Sequence, residues 1–138
     1  MAQLDSPSVD YLTLGDVLQM HRELMGSVPA SSILLDEGKL ESALQRPEHA
    51  AYYEQADLFQ QAATLAAGIA LAHAFEDGNK RLAYAVCLTF LRINGIRVTA
   101  PALQVADQVL GLVDRGGEKL DAAISRVAIW LREHHQRV

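Results

Sequence analysis

The chain is poor in the residues that mark several classes of protein. Cys87 is the only cysteine among 138 residues, so no disulfide can form within the chain. Twelve Lys and Arg residues face seventeen Asp and Glu residues, and the resulting net charge of −5 argues against a nucleic-acid-binding protein, which usually carries a basic surface. Aromatic residues make up only 6% of the chain, whereas Ala and Leu are abundant, and this composition favours helices.

Long hydrophobic runs are absent as well. No apolar stretch reaches the length of about twenty residues that a transmembrane helix needs. The first seven residues, Met-Ala-Gln-Leu-Asp-Ser-Pro, have neither the charged start nor the apolar core of a signal peptide. We therefore expect a cytoplasmic protein without a membrane anchor. Its length fits one domain over residues 1–138, in which residues 1–10 form a flexible tail.

Apolar periodicity predicts about six helices. The first follows Thr13, which resembles the start of a capping box. A short second helix covers about residues 37–45 and ends before Pro47, because a residue that precedes proline disfavours the α region. Two strongly apolar helices over about residues 57–75 and 79–94 form the centre of the chain.

The C-terminal part is also predicted to be helical. Gly95 ends the second central helix, and residues 96–99 form a short extended piece. A fifth helix begins near Pro101, and the double glycine 116–117 separates it from the last helix. The apolar faces predicted for these two helices are Leu103, Ala106, Leu110 and Val113, and then Leu120, Ile124, Val127 and Leu131.

Two histidine positions outside the centre have a structural interpretation. His21 lies on the apolar stripe of the first helix, and we interpret it as a hydrogen-bonded histidine of the core. His134 and His135 lie near the C-terminus, where we expect them to be solvated.

The segment between the central helices, His-Ala-Phe-Glu-Asp-Gly-Asn-Lys-Arg at 73–81, carries the chemistry of the chain. A charged turn between two buried helices would place polar groups where burial costs free energy, which indicates a site rather than an ordinary surface loop. Gly78 permits a positive φ, and Asn79 is a favoured N-cap, so the second central helix is predicted to start here. A helix N-terminus attracts anions through its free N–H groups.

The charged residues of this segment point to phosphate chemistry. Lys80 and Arg81 put two cations in the first turn of a helix, where the helix dipole favours acids, and this indicates an anionic ligand such as phosphate. Asp77 is a hard oxygen ligand of the kind that binds Mg²⁺ together with phosphates. His73 is the candidate general base. Together these residues predict phosphoryl or nucleotidyl transfer.

The same nine residues resemble the signature of the Fic/Doc family, and within it the Doc (death on curing) toxins, whose motif reads His-x-Phe-x-Asp-Ala-Asn-Lys-Arg. Weaker similarities at 24–26, 35–47 and 90–95 extend the resemblance over about residues 11–132. It implies an all-α fold, a compact bundle of about six helices with a short flap or hairpin before the second helix.

The resemblance also implies a task for each residue of the motif. His73 takes the proton from a target hydroxyl, and Asp77 holds Mg²⁺. Phe75 anchors the loop in the core. The nucleotide phosphates are bound by Gly78, Asn79, Lys80 and Arg81, and the target segment pairs like a strand with flap residues Ile33, Leu34 and Leu35.

Lys80 indicates the subtype. AMP-transferring Fic proteins carry Gly-Asn-Gly-Arg, in which a glycine leaves room for phosphates where Lys80 places a long cation. In Doc toxins the lysine goes with a reversed nucleotide and protein kinase activity. Tyr84 also agrees with Doc, where Fic motifs often have a second arginine. Gly78 departs from this pattern, because the Doc motif has alanine there and Fic motifs have glycine.

The resemblance therefore implies the toxin of a toxin–antitoxin module. Such an enzyme is a serine/threonine protein kinase that uses ATP and Mg²⁺, phosphorylates a threonine of elongation factor Tu and halts translation. Its antitoxin inserts a helix into a groove on the toxin, and neither nucleic acid nor a membrane is a direct partner. Two alternatives stay open: a Fic-type AMP transferase, and an inactive binding or corepressor module.

Overall fold

A computed structural model describes residues 8–26 and 33–138 of the chain. Over these residues the fold is a bundle of six helices with a small two-stranded sheet, so the all-α expectation is confirmed. Among the helices described, none is long and apolar enough to cross a membrane. The elements are α1 (Leu14–Met25), α2 (Glu37–Glu54), α3 (Leu58–Ala72), α4 (Asn79–Ile93), β1 (Ile96–Val98), α5 (Ala102–Val113), α6 (Leu120–Glu133) and β2 (His135–Arg137).

Helix α3 lies at the centre of the bundle and contacts α2, α4, α5 and α6. Its small apolar residues allow this, because they let neighbouring backbones approach closely. A Cβ atom added to Gly68, for example, would lie only 3.2 Å from Cβ of Ala43 in α2. Helix α4 completes the core with Leu82, Val86 and Phe90, none of which is exposed. The two helices that flank residues 73–78 are therefore the most buried elements of the fold.

Local sequence sets the starts of several helices. Thr13 and Asp16 form a reciprocal capping box at α1, in which each side chain accepts a hydrogen bond from the other residue's backbone N–H. Asp57 and Gln60 form the same arrangement at α3. Asp36 caps α2 by accepting a hydrogen bond from the Lys39 N–H group at 3.0 Å.

The predicted end of the second helix is wrong. Helix α2 continues through Pro47, which is buried, and ends only at Glu54, followed by Gln55 in the left-handed region with φ of 53°. The buried residues of α2 recur at helical spacing on both sides of the proline: Leu40, Ala43, Pro47 and Ala50. Because this stripe packs against α3, tertiary contact offsets the loss of one backbone donor.

The face predicted for α5 differs from the one that is buried. The buried residues are Val105, Val109 and Leu112, whereas Leu103 is 81% exposed and Leu110 is 41% exposed. The helix has apolar residues on more than one side, so periodicity alone does not select the face that packs against the core.

The C-terminus forms a strand that sequence analysis did not predict. The extended piece at β1 is confirmed, and it pairs antiparallel with β2. Both terminal histidines are half-exposed, and each also contacts an aromatic ring. The His134 ring stacks on Trp130 with the ring centroids 4.4 Å apart, and His135 lies in β2, 4.8 Å from the centroid of Phe59.

Candidate active site

The loop between α3 and α4 begins with an unusual backbone conformation at His73. Helix α3 ends at Ala72, and His73 follows in the left-handed region with φ of 50° and ψ of 40°. This conformation is uncommon for residues other than glycine, and such strain is often found at functional sites. The turn leaves the His73 side chain exposed at the end of the two central helices.

The loop combines two buried apolar residues with exposed charged side chains. Ala74 and Phe75 are 1% and 3% exposed and belong to the hydrophobic core. Asp77, Lys80 and Arg81 are all exposed. The expectation that this charged turn is buried is therefore wrong, because the turn lies at the surface of the bundle and only its apolar residues Ala74 and Phe75 are buried.

Asn79 ties the two ends of the loop together. Its side-chain Nδ2 donates to the Phe75 carbonyl at 2.8 Å, and its Oδ1 accepts from the Phe75 N–H at 3.1 Å. Its predicted position as the N-cap is wrong. Gly78 is the N-cap, with φ of 81°, and Asn79 is the first helical residue. The amide side chain therefore shapes the loop, while its backbone N–H lies in the first turn of the helix.

Residues 33–36, which contain the predicted flap, pair with this loop along its other side. Leu35 and Asp36 both donate backbone hydrogen bonds to the Ala74 carbonyl, at 2.7 and 3.1 Å. The Glu76 N–H donates to the Ile33 carbonyl at 3.0 Å. These bonds flank an antiparallel bridge between Leu34 and Phe75.

This pairing restricts what the flap can offer to another chain. The Ile33 carbonyl and the Leu35 N–H are already used within the protein. In such a bridge the backbone groups of the central residue point away from the partner strand. The N–H and carbonyl of Leu34 accordingly have no hydrogen-bond partner among residues 8–26 and 33–138.

Helix α1 contributes His21, which sequence analysis assigned to the core alone. The ring is fully buried, as predicted, but its Nε2 lies 2.8 Å from the Asp77 carbonyl oxygen of the loop. It also stacks on Phe75, with ring centroids 3.6 Å apart and an interplanar angle of 15°. The signal in the sequence was a polar ring on an apolar stripe, but nothing in the sequence named its partner.

Met25, on the last turn of α1, covers the turn at Gly78. A Cβ atom at Gly78 would lie 2.5 Å from the Met25 sulfur and 3.2 Å from His21 Nε2. The backbone φ of 81° disfavours other residues as well. Both facts account for glycine in this chain at a position where the Doc motif has alanine.

The N-terminus of α4 presents donors suited to an anion. The first helical hydrogen bond is donated by Leu82 to the Gly78 carbonyl at 2.8 Å. The N–H groups of Asn79, Lys80 and Arg81 have no acceptor within the described part of the chain. Neither cationic side chain of this turn forms a salt bridge with another described residue. Amides, dipole and cations thus favour the same negatively charged ligand.

Asp77 meets the requirements of a magnesium ligand that acts together with phosphate. Its Oδ1 accepts the Gly78 N–H at 2.7 Å, and the carboxylate is exposed beside the free amides of α4. Residues 8–26 and 33–138 contain no group of three His, Cys, Asp or Glu residues that could hold a metal ion by themselves. This donor set fits Mg²⁺, which typically binds through one or two carboxylates and completes its shell with phosphate oxygens and water.

An apolar groove of about 350 Å³ lies beside the cations, between α4 and α5. Leu103 and Leu110, on the predicted face of α5, are exposed and line this groove. Its lining residues are Lys80, Arg81, Tyr84, Ala102, Leu103, Ala106, Val109 and Leu110.

Comparison with known proteins gives consistent matches. A model described as the Fic/DOC family matches residues 11–91, more than half of the chain. "Toxin Doc" of Mycolicibacterium smegmatis is 43% identical over 67 residues, which cover 47% of this chain and 52% of that protein. "Protein kinase doc" of Escherichia phage P1 is 38% identical over 87 residues, or 62% of this chain and 66% of that protein. The chain thus matches between half and two thirds of the length of these relatives.

Proposed function

Because the chain belongs to the Fic/DOC family, we propose that it is a Doc-like toxin of a toxin–antitoxin module. In this proposal it is a serine/threonine protein kinase that transfers the γ-phosphoryl group of ATP to a threonine of a translation factor. Elongation factor Tu is the expected target, and the modification halts translation in the cytoplasm. The names of the two relatives, a Doc toxin and a Doc protein kinase, support this proposal.

The observation that carries the proposal is that one short loop places a candidate base at one end and a candidate anion-binding site at the other. An exposed histidine ends α3, and an unpaired set of amides with two cations begins α4. A kinase needs a group that accepts a proton from the target hydroxyl and an electrostatic cradle for the phosphates. Residues 73–81 supply both.

In the proposed mechanism His73 accepts the proton of the threonine hydroxyl as its oxygen attacks the γ-phosphorus, and ADP leaves. The first amides of α4, with Lys80 and Arg81, bind the phosphates and offset their charge. Asp77 would hold Mg²⁺, which neutralises phosphate charge when it is bound. Asn79 keeps the loop in shape through its two hydrogen bonds to Phe75.

Among the flap residues, Leu34 is the one proposed to pair with the target segment. Its backbone N–H and carbonyl are directed away from Phe75, so an extended target segment could pair with them on the side opposite the loop. Such pairing would bring a threonine of the target next to the motif. Ile33 and Leu35 would contribute side chains only, and both are exposed.

The groove between α4 and α5 is the surface we propose for the antitoxin. An amphipathic helix binds by laying its apolar face into an apolar groove. Leu103, 81% exposed, and the neighbouring apolar lining offer such a surface, and Lys80 and Arg81 lie at its edge. A helix bound there would also cover part of the phosphate cradle, which would inhibit the enzyme.

AMP transfer is the second candidate, and one residue favours it. Gly78 matches the Fic form of the motif instead of the Doc form. Lys80 favours phosphoryl transfer, because its long cationic side chain takes the place of the glycine found in AMP-transferring enzymes. The mass of the product separates these two reactions.

The test is incubation of the purified protein with elongation factor Tu, ATP and Mg²⁺, followed by intact-mass analysis. We expect the target to gain the mass of one phosphoryl group. His73→Ala should slow the reaction by at least about 100-fold, because it removes the general base. His49→Ala is the matched control, since His49 is an exposed histidine on α2 whose ring lies against Tyr53, outside residues 73–81.

Other outcomes each have a defined meaning. A target that gains the mass of AMP would show that the protein is a nucleotidyl transferase and not a kinase. An unmodified target, with a folded protein that still binds its antitoxin, would favour the inactive binding module. Equal activity of His73→Ala and His49→Ala would show that His73 is not the general base.

A further inference from the structure

We infer that His21 is a positioning residue of the active site: its Nε2–H holds the Asp77 carbonyl and thereby orients the turn that carries Asp77 and the first amides of α4. The inference rests on the proposed function in so far as this turn binds Mg²⁺ and nucleotide phosphates. It deepens that function by adding a residue of α1 to a site whose motif lies more than fifty positions later in the chain.

The hydrogen bond determines which ring nitrogen carries the proton. A carbonyl oxygen only accepts, so Nε2 of His21 must donate to Asp77 across 2.8 Å. In the neutral ring, Nδ1 is then an acceptor. Nδ1 is fully buried and has no hydrogen-bond partner among the described residues. An apolar side chain of similar size would fill the site without this unpaired atom, so packing by itself does not explain an imidazole here.

The turn is held differently at its two ends. Ala74, Phe75 and Glu76 are fixed by backbone bonds to residues 33–36 and by the Asn79 side chain. The Asp77 carbonyl, in contrast, has His21 as its only hydrogen-bond partner in the described part of the chain. His21 therefore restrains the end of the loop that has no backbone hydrogen bond to residues 33–36.

Loss of this bond would act on the ligand-binding end of the loop. The peptide unit between Asp77 and Gly78 contains both the carbonyl held by His21 and the N–H that binds the Asp77 carboxylate at 2.7 Å. Because Gly78 is free of Cβ constraints, this peptide could rotate once released. The Asp77 carboxylate and the start of α4 would then lose their fixed orientation, whereas His73 lies before the anchored segment.

Two substitutions distinguish the contribution of the N–H donor from that of the aromatic ring. His21→Phe keeps a flat ring against Phe75 but removes the donor. His21→Gln removes the ring but places an amide N–H at a similar reach. We expect His21→Phe to increase hydrogen exchange of the Gly78 and Leu82 amides and to weaken Mg²⁺–ADP binding, both on the order of tenfold, the effect of losing one hydrogen bond. His21→Gln should retain binding within about threefold.

A second pair, His21→Gln and His21→Asn, serves if the phenylalanine variant does not fold because its side chain is too large for the site. His21→Asn is polar like His21→Gln, but its amide is too short to reach the Asp77 carbonyl. His21→Asn should therefore behave like His21→Phe. Unfolding temperature, and exchange in the middle of α3, report core packing and should differ little between the glutamine and asparagine variants.

The result that overturns the inference is equal exchange and equal binding in the glutamine and asparagine variants. Exchange that rises throughout α1 and α3, instead of in the turn, would also overturn it, because His21 would then be a packing residue only. These readings need no protein target. If the wild type modifies no target while the turn responds as expected, the proposed function fails and the positioning of Asp77 by His21 stands.

Discussion

Gly78 and Met25 show how closely α1 and the loop between α3 and α4 are fitted to each other. The sulfur of Met25 lies only 2.5 Å from the position that a Cβ atom at residue 78 would take, and the backbone there has a φ of 81°. The conformation and the contact are separate reasons for glycine. The first is local to the turn, and the second depends on a side chain from another helix.

Gly78→Ala is therefore expected to destabilise the protein for two reasons. The left-handed conformation costs a residue with a Cβ about 1–2 kcal/mol, and the clash with Met25 adds to that cost. In a Met25→Ala background the clash disappears, so the same substitution should reduce the free energy of unfolding by less. Denaturant unfolding of the four proteins in a double-mutant cycle measures the difference.

Gly116→Ala is the matched control for this cycle. Gly116 also has a positive φ, of 56°, but no atom of residues 8–26 and 33–138 lies within 4 Å of a Cβ placed there. Its cost should be the conformational part alone and should not change in the Met25→Ala background. An equal cost of Gly78→Ala in both backgrounds would exclude a steric contribution from Met25.

Helix α3 connects the fold to the site, since its C-terminal end places His73. At its N-terminal end, Asp57 accepts the Gln60 N–H at 2.9 Å and also forms a salt bridge with Arg132 of α6. The two side chains of the salt bridge are 44% and 43% exposed, so solvent screens their attraction. The capping bond is a local backbone contact at the start of the central helix.

Asp57→Ala should lower the free energy of unfolding by about 1–2 kcal/mol, mainly through the lost cap. Asp57→Asn keeps an oxygen acceptor for the Gln60 N–H and removes only the charge, so its cost should stay below about 1 kcal/mol. Urea unfolding at low and high salt measures both. If asparagine costs as much as alanine at low salt and recovers at high salt, the salt bridge is the main contribution.

Helix α2 illustrates where local rules gave a wrong boundary. A proline disfavours helix both by its missing N–H and by its effect on the preceding residue. Pro47 nevertheless lies inside α2, because it occupies a position of the stripe that packs on α3. Local rules describe the isolated segment, whereas burial against a neighbouring helix decided its length.

At the scale of the whole molecule, Cys87 reports on the integrity of the core. Its thiol lies in α4 with no exposed surface, and burial raises the pKa of Cys87 from 9.0 to about 12. The folded chain therefore keeps the thiol protonated where the unfolded chain ionises it. Since the folded state then binds the extra proton, the free energy of unfolding should fall as pH rises from about 9 to 12.

The pH effect of Cys87 should not exceed about 1.4 kcal/mol per pH unit, the limit for one proton. A Cys87→Ala variant should lack this part of the decline, and the comparison removes the titration of all other groups. At pH 8 the native protein should react with a thiol reagent only as fast as it unfolds. Rapid labelling of folded protein would contradict the burial of this side chain.

The sequence by itself determined the chemistry of the motif and most helix starts. Residues 73–81 are contiguous, so one turn brings together the His73 ring, the Asp77 carboxylate and the two cations whatever surrounds them. The capping residues Thr13 and Asp57 likewise act on backbone groups only three positions away. Such features depend on local geometry, which a sequence pattern contains.

The tertiary structure decided how the turn is held. His21 contacts Asp77 across fifty-six positions of sequence. Leu34, which precedes α2, pairs with Phe75, which follows α3. The same is true of the strand at His135–Arg137, which depends on β1 as its partner. Contacts of this kind follow from how the helices pack around α3, and no single stretch of the chain contains that information.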